Sequence, residues 1–221
     1  MTHPQKRAFL RQEGDAWFRR NETVISDVSE SKAIALAMLK TCLGSGKVLI
    51  EIGCSNGVNL AHLTETTGCE AKGLDPSPAS IAEGRARWPH LDLRVGTADA
   101  LPFADASADM VWFGFCLYLV DRPLLMRVVA EADRVLGPEG YLAVTDFDCD
   151  RPTRRPYAHL PGLSSYKMDY SSLFTANPAY TLLEKCRFGP ADQPAHPDRQ
   201  QRTATWLLRK SERDAYQEVT E

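Results

Sequence analysis

The sequence predicts a doubly wound α/β fold, with a mostly parallel sheet that ends in an antiparallel strand pair. Three observations predict it. From Lys47 to Phe147, short apolar segments alternate with helical ones, the order that parallel sheets require. The segment DMVWFGFC (109–116) is apolar throughout, as a central strand covered on both faces should be. Finally, YTLLEKCRF (180–188) and RTATWLLRK (202–210) lie close together in sequence, which suits antiparallel pairing.

Two helices come first. One covers about Pro4 to Arg20, and the other runs from about Ser29 to Cys42, with Ile34, Leu36, Ala37, Met38 and Leu39 on its apolar side. Gly44-Ser-Gly46 ends the second. VLIEIG (48–53) is the first strand, followed by a helix over Val58–Thr66. EAKGLD (70–75) is the second strand, and residues 77–88 form a helix with Ser77 as its N-cap. LDLRVG (91–96) is the third strand and 109–116 the fourth. Arg122 to Leu136 is an amphipathic helix stopped by Gly137-Pro138, and GYLAVTDF (140–147) is the fifth strand. Residues 148–178 are rich in Pro, Tyr and Ser and show no clear period. The linker 189–201 is polar, and the tail SERDAYQEVTE is expected to be exposed.

Composition narrows the function classes. The 221 residues suit one sizeable core. Twenty-six basic and 29 acidic residues give a net charge of −3, which does not suit a general polyanion binder. RARWPH, RPTRR and RKSER are short basic runs, read as solvated loops or helix ends, with an anionic substrate as the other reading. The six cysteines form no CxxC pair and no zinc spacing, so no metal site is expected. Four of them sit in or beside apolar segments, and with no apolar leader the chain reads as cytoplasmic. No window approaches the ~20 apolar residues of a membrane helix, so no membrane partner is expected either.

The chemistry-bearing residues sit at strand ends, where ligands of such sheets bind. Glu51-Ile-Gly-Cys-Ser-Asn-Gly57 closes the first strand. Gly53 and Gly57 permit a tight turn and close backbone approach. Glu51 is an acid ending an apolar strand, and a buried carboxylate there calls for a cationic partner such as an ammonium group. Asp75 ends the second strand and can accept from two ribose hydroxyls, or serve as a helix cap before Pro76. Asp99, in Gly96-Thr-Ala-Asp-Ala-Leu-Pro-Phe103, can accept from an adenine amino group while the Ala100 amide donates to a ring nitrogen; as a solvated loop acid it would do neither.

ExGxxxG, then Asp75, then DALPF with DASADMVWF resembles the ordered motifs of the class I S-adenosylmethionine (SAM)-dependent methyltransferases over roughly residues 47–147. The terminal strand pair fits that family's closing hairpin. One departure is Ser55, where many members carry the middle Gly of GxGxG. The resemblance implies a Rossmann-like core that binds SAM through Glu51, Gly53, Cys54, Gly57, Asp75, Pro76, Thr97, Ala98, Asp99, Ala100 and Phe115. It also implies division of a single domain into an N-terminal helical lid (1–45), a SAM-binding core (47–147), a substrate cap (148–178) and terminal strands (179–210). In the lid, Trp17 covers the cofactor and Arg20 pairs with its carboxylate, unless the segment merely packs on the sheet.

The acceptor side is less defined. Tyr118, in the loop after the fourth strand, is the first acceptor-side candidate. Asp146 is a candidate base, or with Asp148 and Asp150 a metal ligand, although a solvated turn suits that run better. His159 is the candidate base in the cap. The expected function is methylation of a small molecule, possible in specialised metabolism or sugar modification, by a monomer or homodimer without nucleic acid. A non-catalytic SAM-binding partner protein is the alternative. A nicotinamide-dependent oxidoreductase fits worse, because GxGxxG is lacking after the first strand.

Overall fold

The structure, a computed structural model, describes residues 3–25, 30–188, 195–213 and 215–216. Part of the linker (189–194), Ser29 at the start of the second helix, and tail residues 214 and 217–221 lie outside the described residues.

Seven strands form one sheet: β1 (Val48–Ile52), β2 (Glu70–Asp75), β3 (Asp92–Val95), β4 (Ala108–Gly114), β5 (Leu136–Phe147), β8 (Tyr180–Phe188) and β9 (Thr203–Lys210). Their order is β3-β2-β1-β4-β5-β9-β8. The first five are parallel, and β9 inserts antiparallel between β5 and β8. The mostly parallel sheet with a terminal antiparallel pair is therefore the architecture that the alternating segments predict. The order reverses between β1 and β4, so the crevice at their carboxyl ends is the topological switch point.

The strands read as apolar because helices cover both faces. Ile50, Val111, Phe113, Val144 and Trp206 face one core, together with Val128, Ala132 and Val135 of α6 (Leu125–Val135). Their chain neighbours Leu49, Met110, Trp112, Ala143 and Leu207 face the other, with α3 (Glu30–Lys40), α4 (Val58–Thr67) and α5 (Pro78–Arg87) supplying Leu36, Leu39, Leu60, Leu63 and Ile81. Ser77 caps α5 by accepting the Ser80 amide at 3.1 Å, as expected.

Some details differ from the sequence reading. The first helix is not uniform: α1 (Pro4–Ala8) passes through a π-helical turn (Phe9–Glu13) into α2 (Gly14–Ile25). Gly14 accounts for the continuation there, because an added Cβ would lie 2.7 Å from the Phe9 carbonyl and 3.2 Å from the Ser77 backbone. α6 starts at Leu125, because Arg122–Leu124, containing Pro123, forms a separate tight turn. Gly137 and Pro138 lie inside β5, which pairs with β4 through an irregularity between Ala108 and Met110. The segment 148–178 is not irregular throughout. It contains an antiparallel pair, β6 (Thr153–Pro156) with β7 (Ser164–Lys167), and a short helix, α7 (Ser172–Thr175). Two strands of four residues are too short for a period to show. In the tail, Ser211 is buried while Glu212, Arg213 and Tyr216 are exposed.

A buried polar relay ties the middle of the sheet together. The Trp112 indole N–H donates to the Thr145 hydroxyl at 2.9 Å, which shares a 2.9 Å hydrogen bond with the Thr205 hydroxyl. Thr145→Val keeps the shape but leaves the indole donor and the Thr205 hydroxyl short of a partner. An unsatisfied buried group costs about 1–3 kcal/mol. Urea unfolding should therefore show Thr145→Val less stable by about 2 kcal/mol with an unchanged m-value. A loss below about 0.5 kcal/mol would reject the relay as a stabilising element.

Candidate functional site

The turn after β1 forms the floor of the site. Gly53 has a φ of +83°, and a Cβ there would sit 2.8 Å from the Cys116 Cβ and 3.3 Å from the Gly114 carbonyl. Only glycine lets the chain pass so close. Ser55, where the middle Gly is absent, still adopts the left-handed conformation at φ 51°. That conformation costs a non-glycine residue about 1 kcal/mol or more, and the Ser55 amide in return donates to Asp75 Oδ2 at 3.0 Å. Gly57 starts α4 and packs on Leu93, behind the turn and away from the cleft. Cys54 is likewise buried behind the floor, where burial raises its thiol well above the usual range.

A cleft of about 860 Å³, counted to its open mouth, lies over this turn. Gly53, Asp75, Pro76, Thr97, Ala98, Asp99 and Phe115 line it from the strand ends, and Trp17 from α2. Eight of the expected cofactor residues thus meet around one space.

The three strand-end acids differ in environment. Glu51 is buried and accepts from Asn59 Nδ2 at 3.2 Å. Its carboxylate abuts Gly114 of the cleft wall, where a Cβ would come within 2.5 Å of Oε1. Asp75 accepts the amides of Ser77 at 2.9 Å and Ser55 at 3.0 Å. Burial nevertheless outweighs these donors and pushes its carboxyl up to about 6. Burial is the largest single influence on Asp99 and acts to raise it, but the hydrogen bond and charge of Lys6, together with Thr97 and the local backbone, hold that carboxyl below its usual value. Lys6 Nζ lies 2.6 Å from Asp99 Oδ2.

Other expected residues lie elsewhere. The Ala100 amide, expected at a ring nitrogen, donates to the Thr97 carbonyl at 3.2 Å. Arg20 does not line the cleft; its guanidinium pairs with the buried Glu13 and reaches the Tyr157 hydroxyl at 3.3 Å. His159 is exposed in the 148–178 segment, its ring 5.3 Å from that of Tyr157. Asp146 is fully buried and accepts the amides of Tyr118 at 3.2 Å and Phe147 at 2.7 Å. Burial pushes it up to about 7 against those donors. Its oxygens hold the Leu117–Leu119 turn against β5. Tyr118 is buried beside the cleft, 5.2 Å from the rings of both Phe115 and Phe147, and its phenol is raised far above the usual range, mainly by burial. The neighbouring Trp17 indole acts in the opposite direction, without overcoming burial. The acids of the Asp146–Asp150 run do not converge: Asp148 binds Lys185 and Arg187, and Asp150 binds Arg199. No metal-holding cluster occurs among the described residues.

The sequence reading missed the residues that fasten the N-terminal helices over the cleft. Gln5, Lys6, Phe9 and Gly14 line it with Trp17. Asp121 accepts the amides of Gln5 at 3.2 Å and Lys6 at 2.9 Å, satisfying open donors at the first turn of α1. Asp15 accepts from the Ser77 hydroxyl at 2.6 Å and the Ala79 amide at 3.0 Å. Gln5 also contacts the Leu119 carbonyl and accepts the Ser164 amide of β7 at 3.3 Å. These pairs are separated by more than 60 residues, and no local pattern announces them.

Residues 50–144 match the family model described as a methyltransferase domain. The chain is 32% identical over 143 residues to a demethylmenaquinone methyltransferase of Beutenbergia cavernae, covering 63% of this chain and 58% of that protein. It is 38% identical over 105 residues to a phthiotriol/phenolphthiotriol dimycocerosates methyltransferase of Mycobacterium ulcerans, covering 46% and 38%. The chain spans about half the length of the curated relatives it matches. In fold it is similar to 1,6-didemethyltoxoflavin-N1-methyltransferase of Burkholderia thailandensis, solved with S-adenosylhomocysteine. The TM-score is 0.75 at 20% identity, over 96% of this chain and 92% of that one.

Proposed function

Because the chain belongs, through its 50–144 core, to the class I SAM-dependent methyltransferases, we propose that it methylates a small molecule held between the N-terminal helices and the 148–178 cap. The observation that carries this reading is one cleft over the Gly53 turn that Asp75 and Asp99 line from successive strand ends, with Glu51 buried against its Gly114 wall. SAM, when bound, supplies an electrophilic methyl group on a sulfonium.

The residues fit that group. Ser55 Oγ and Asn59 Oδ1, beside the turn, are buried and lack a protein partner among the described residues. A polar ligand end at this point would satisfy them. Glu51 answers the ammonium, Asp75 the ribose hydroxyls, and Asp99, alongside Lys6, the adenine amino group. Phe9, Trp17 and Phe115 wall the space and exclude water, which favours a step in which charge disperses. Tyr118 stays protonated, so it positions an acceptor through its hydroxyl rather than acting as a base. Arg20 and His159 keep roles only in shaping lid and cap. Orientation of the two reactants then supplies much of the acceleration. The small-molecule class draws on the relatives, whose names specify demethylmenaquinone and didemethyltoxoflavin methylation.

Calorimetry tests the premise. S-adenosylhomocysteine should bind saturably, and NAD should give no comparable heat. Tight NAD binding without S-adenosylhomocysteine binding would overturn the assignment.

A further inference from the structure

Among the described residues, two cations at the outer end of β5 have no acidic partner. Lys167, on β7, is buried, yet the described groups that its ammonium contacts are all neutral. It donates to the Gln200 carbonyl at 3.2 Å and to Gln201 Oε1 at 2.8 Å, and it lies 3.7 Å from the centre of the Phe147 ring. Arg155, on the paired strand β6 and on the same face, donates to Gln200 Oε1. Neither forms an ion pair among the described residues. The nearby acids are committed: Asp148 to Lys185 and Arg187, Asp150 to Arg199, and Asp169 to Ser171 and Lys185. Asp146, held by backbone amides, and Asp198, which accepts the Gln200 amide, act on Lys167 only from farther away.

A buried ammonium is costly unless a counter-charge is supplied. The position says what could supply it. Phe147, under Lys167, packs 5.0 Å from Phe115, which lines the cleft, and 5.2 Å from Tyr118. The cations therefore stand behind the aromatic wall on the acceptor side, at the sheet end where the cap begins.

We propose that Lys167 and Arg155 form an oxyanion subsite that recognises a carboxylate or phosphate on the methyl acceptor. This rests on the methyltransferase reading, since it names the acceptor's chemical class. Arg155 is exposed and can admit the anion from solvent, and Lys167 receives it over Phe147. Gln200 and Gln201 release their hydrogen bonds to the two cations as the anion replaces them. The arrangement discriminates against uncharged acceptors, because the buried ammonium gains nothing from them.

The test uses the whole chain. Inorganic phosphate and acetate are titrated by calorimetry at an ionic strength fixed with sodium chloride, in wild type, Arg155→Gln, Lys167→Arg and Lys167→Met. Saturable binding of at least one anion is expected in wild type, about tenfold weaker in Arg155→Gln and lost in Lys167→Met. Lys167→Arg should retain it. Phosphate binding stronger than acetate would mark a phosphorylated acceptor, and the reverse a carboxylic acid. Arg155→Gln alters an exposed side chain, so it reads the subsite even if Lys167→Met fails to fold. Heats no larger than those of chloride, or undiminished binding in Arg155→Gln, would overturn the subsite. S-adenosylhomocysteine titrated into the same samples separates the two claims: if it binds while the anions do not, only the subsite fails.

Discussion

Asp75→Ala should weaken S-adenosylhomocysteine binding roughly ten- to hundred-fold in a protein that stays folded. Asp75 lines the cleft with its two oxygens already oriented by the Ser55 and Ser77 amides, so it is prepared to accept rather than free to rotate away. Losing hydrogen bonds to a charged acceptor costs about 1.5–3 kcal/mol, which gives that range of affinity. A pH profile sharpens the test. Burial pushes the Asp75 carboxyl up to about 6 in the free protein, and the strong charge-assisted bonds from two ribose hydroxyls need the ionised form. Binding must therefore release a proton below that pH. Affinity should be flat above pH 6 and fall by about tenfold per unit below it. The free protein should respond in the opposite sense. A raised folded-state carboxyl disfavours the native state once ionised, so the Asp75 contribution to stability improves as pH falls from about 6 toward the ordinary carboxylate range. Asp146, raised to about 7, acts in the same direction. Asp75→Asn should abolish the pH dependence of binding. An unchanged dissociation constant in Asp75→Ala, or a pH profile retained in Asp75→Asn, would remove Asp75 from the ribose site.

Deleting residues 1–21 should leave a folded sheet domain that binds S-adenosylhomocysteine at least tenfold more weakly and transfers methyl groups poorly. The segment contributes no strand, so the sheet and both cores survive its loss. It does supply Gln5, Lys6, Phe9, Gly14 and Trp17 to the cleft wall. Its attachments are polar contacts to the loops after β3 and β4, the start of α5 and β7, together with the buried Phe18 and a ring contact of Phe9 with Tyr157, outside both sheet cores. Contacts of that kind open more readily than a packed core. Hydrogen exchange should therefore show amides around Trp17 exchanging fast in the free protein and slowing when S-adenosylhomocysteine is added, as closure completes the site. Equal protection in both states, together with full activity of the truncated chain, would show that these helices only pack on the sheet.

The sequence by itself determined the architecture of the core. Apolar strands, capped helices and Gly-rich turns are local signals, each readable within about ten residues, and their order leaves few topologies. The same locality made the strand-end acids legible, because Glu51, Asp75 and Asp99 each follow directly from a strand. Tertiary structure alone decided who faces whom. Asp99 meets Lys6 from 93 positions away, and Asp121 holds α1 from 115 or more positions away. Arg20 turns to Glu13 because that buried carboxylate, at the end of the π-helical turn and about two turns before it along the continuous helix, competes for the guanidinium. Asp146 looked like a chemical group in the sequence, yet burial and backbone amides make it an anchor for the turn carrying Tyr118. Burial and partner choice are properties of the packed chain, and they set the charge and availability of every side chain in the site.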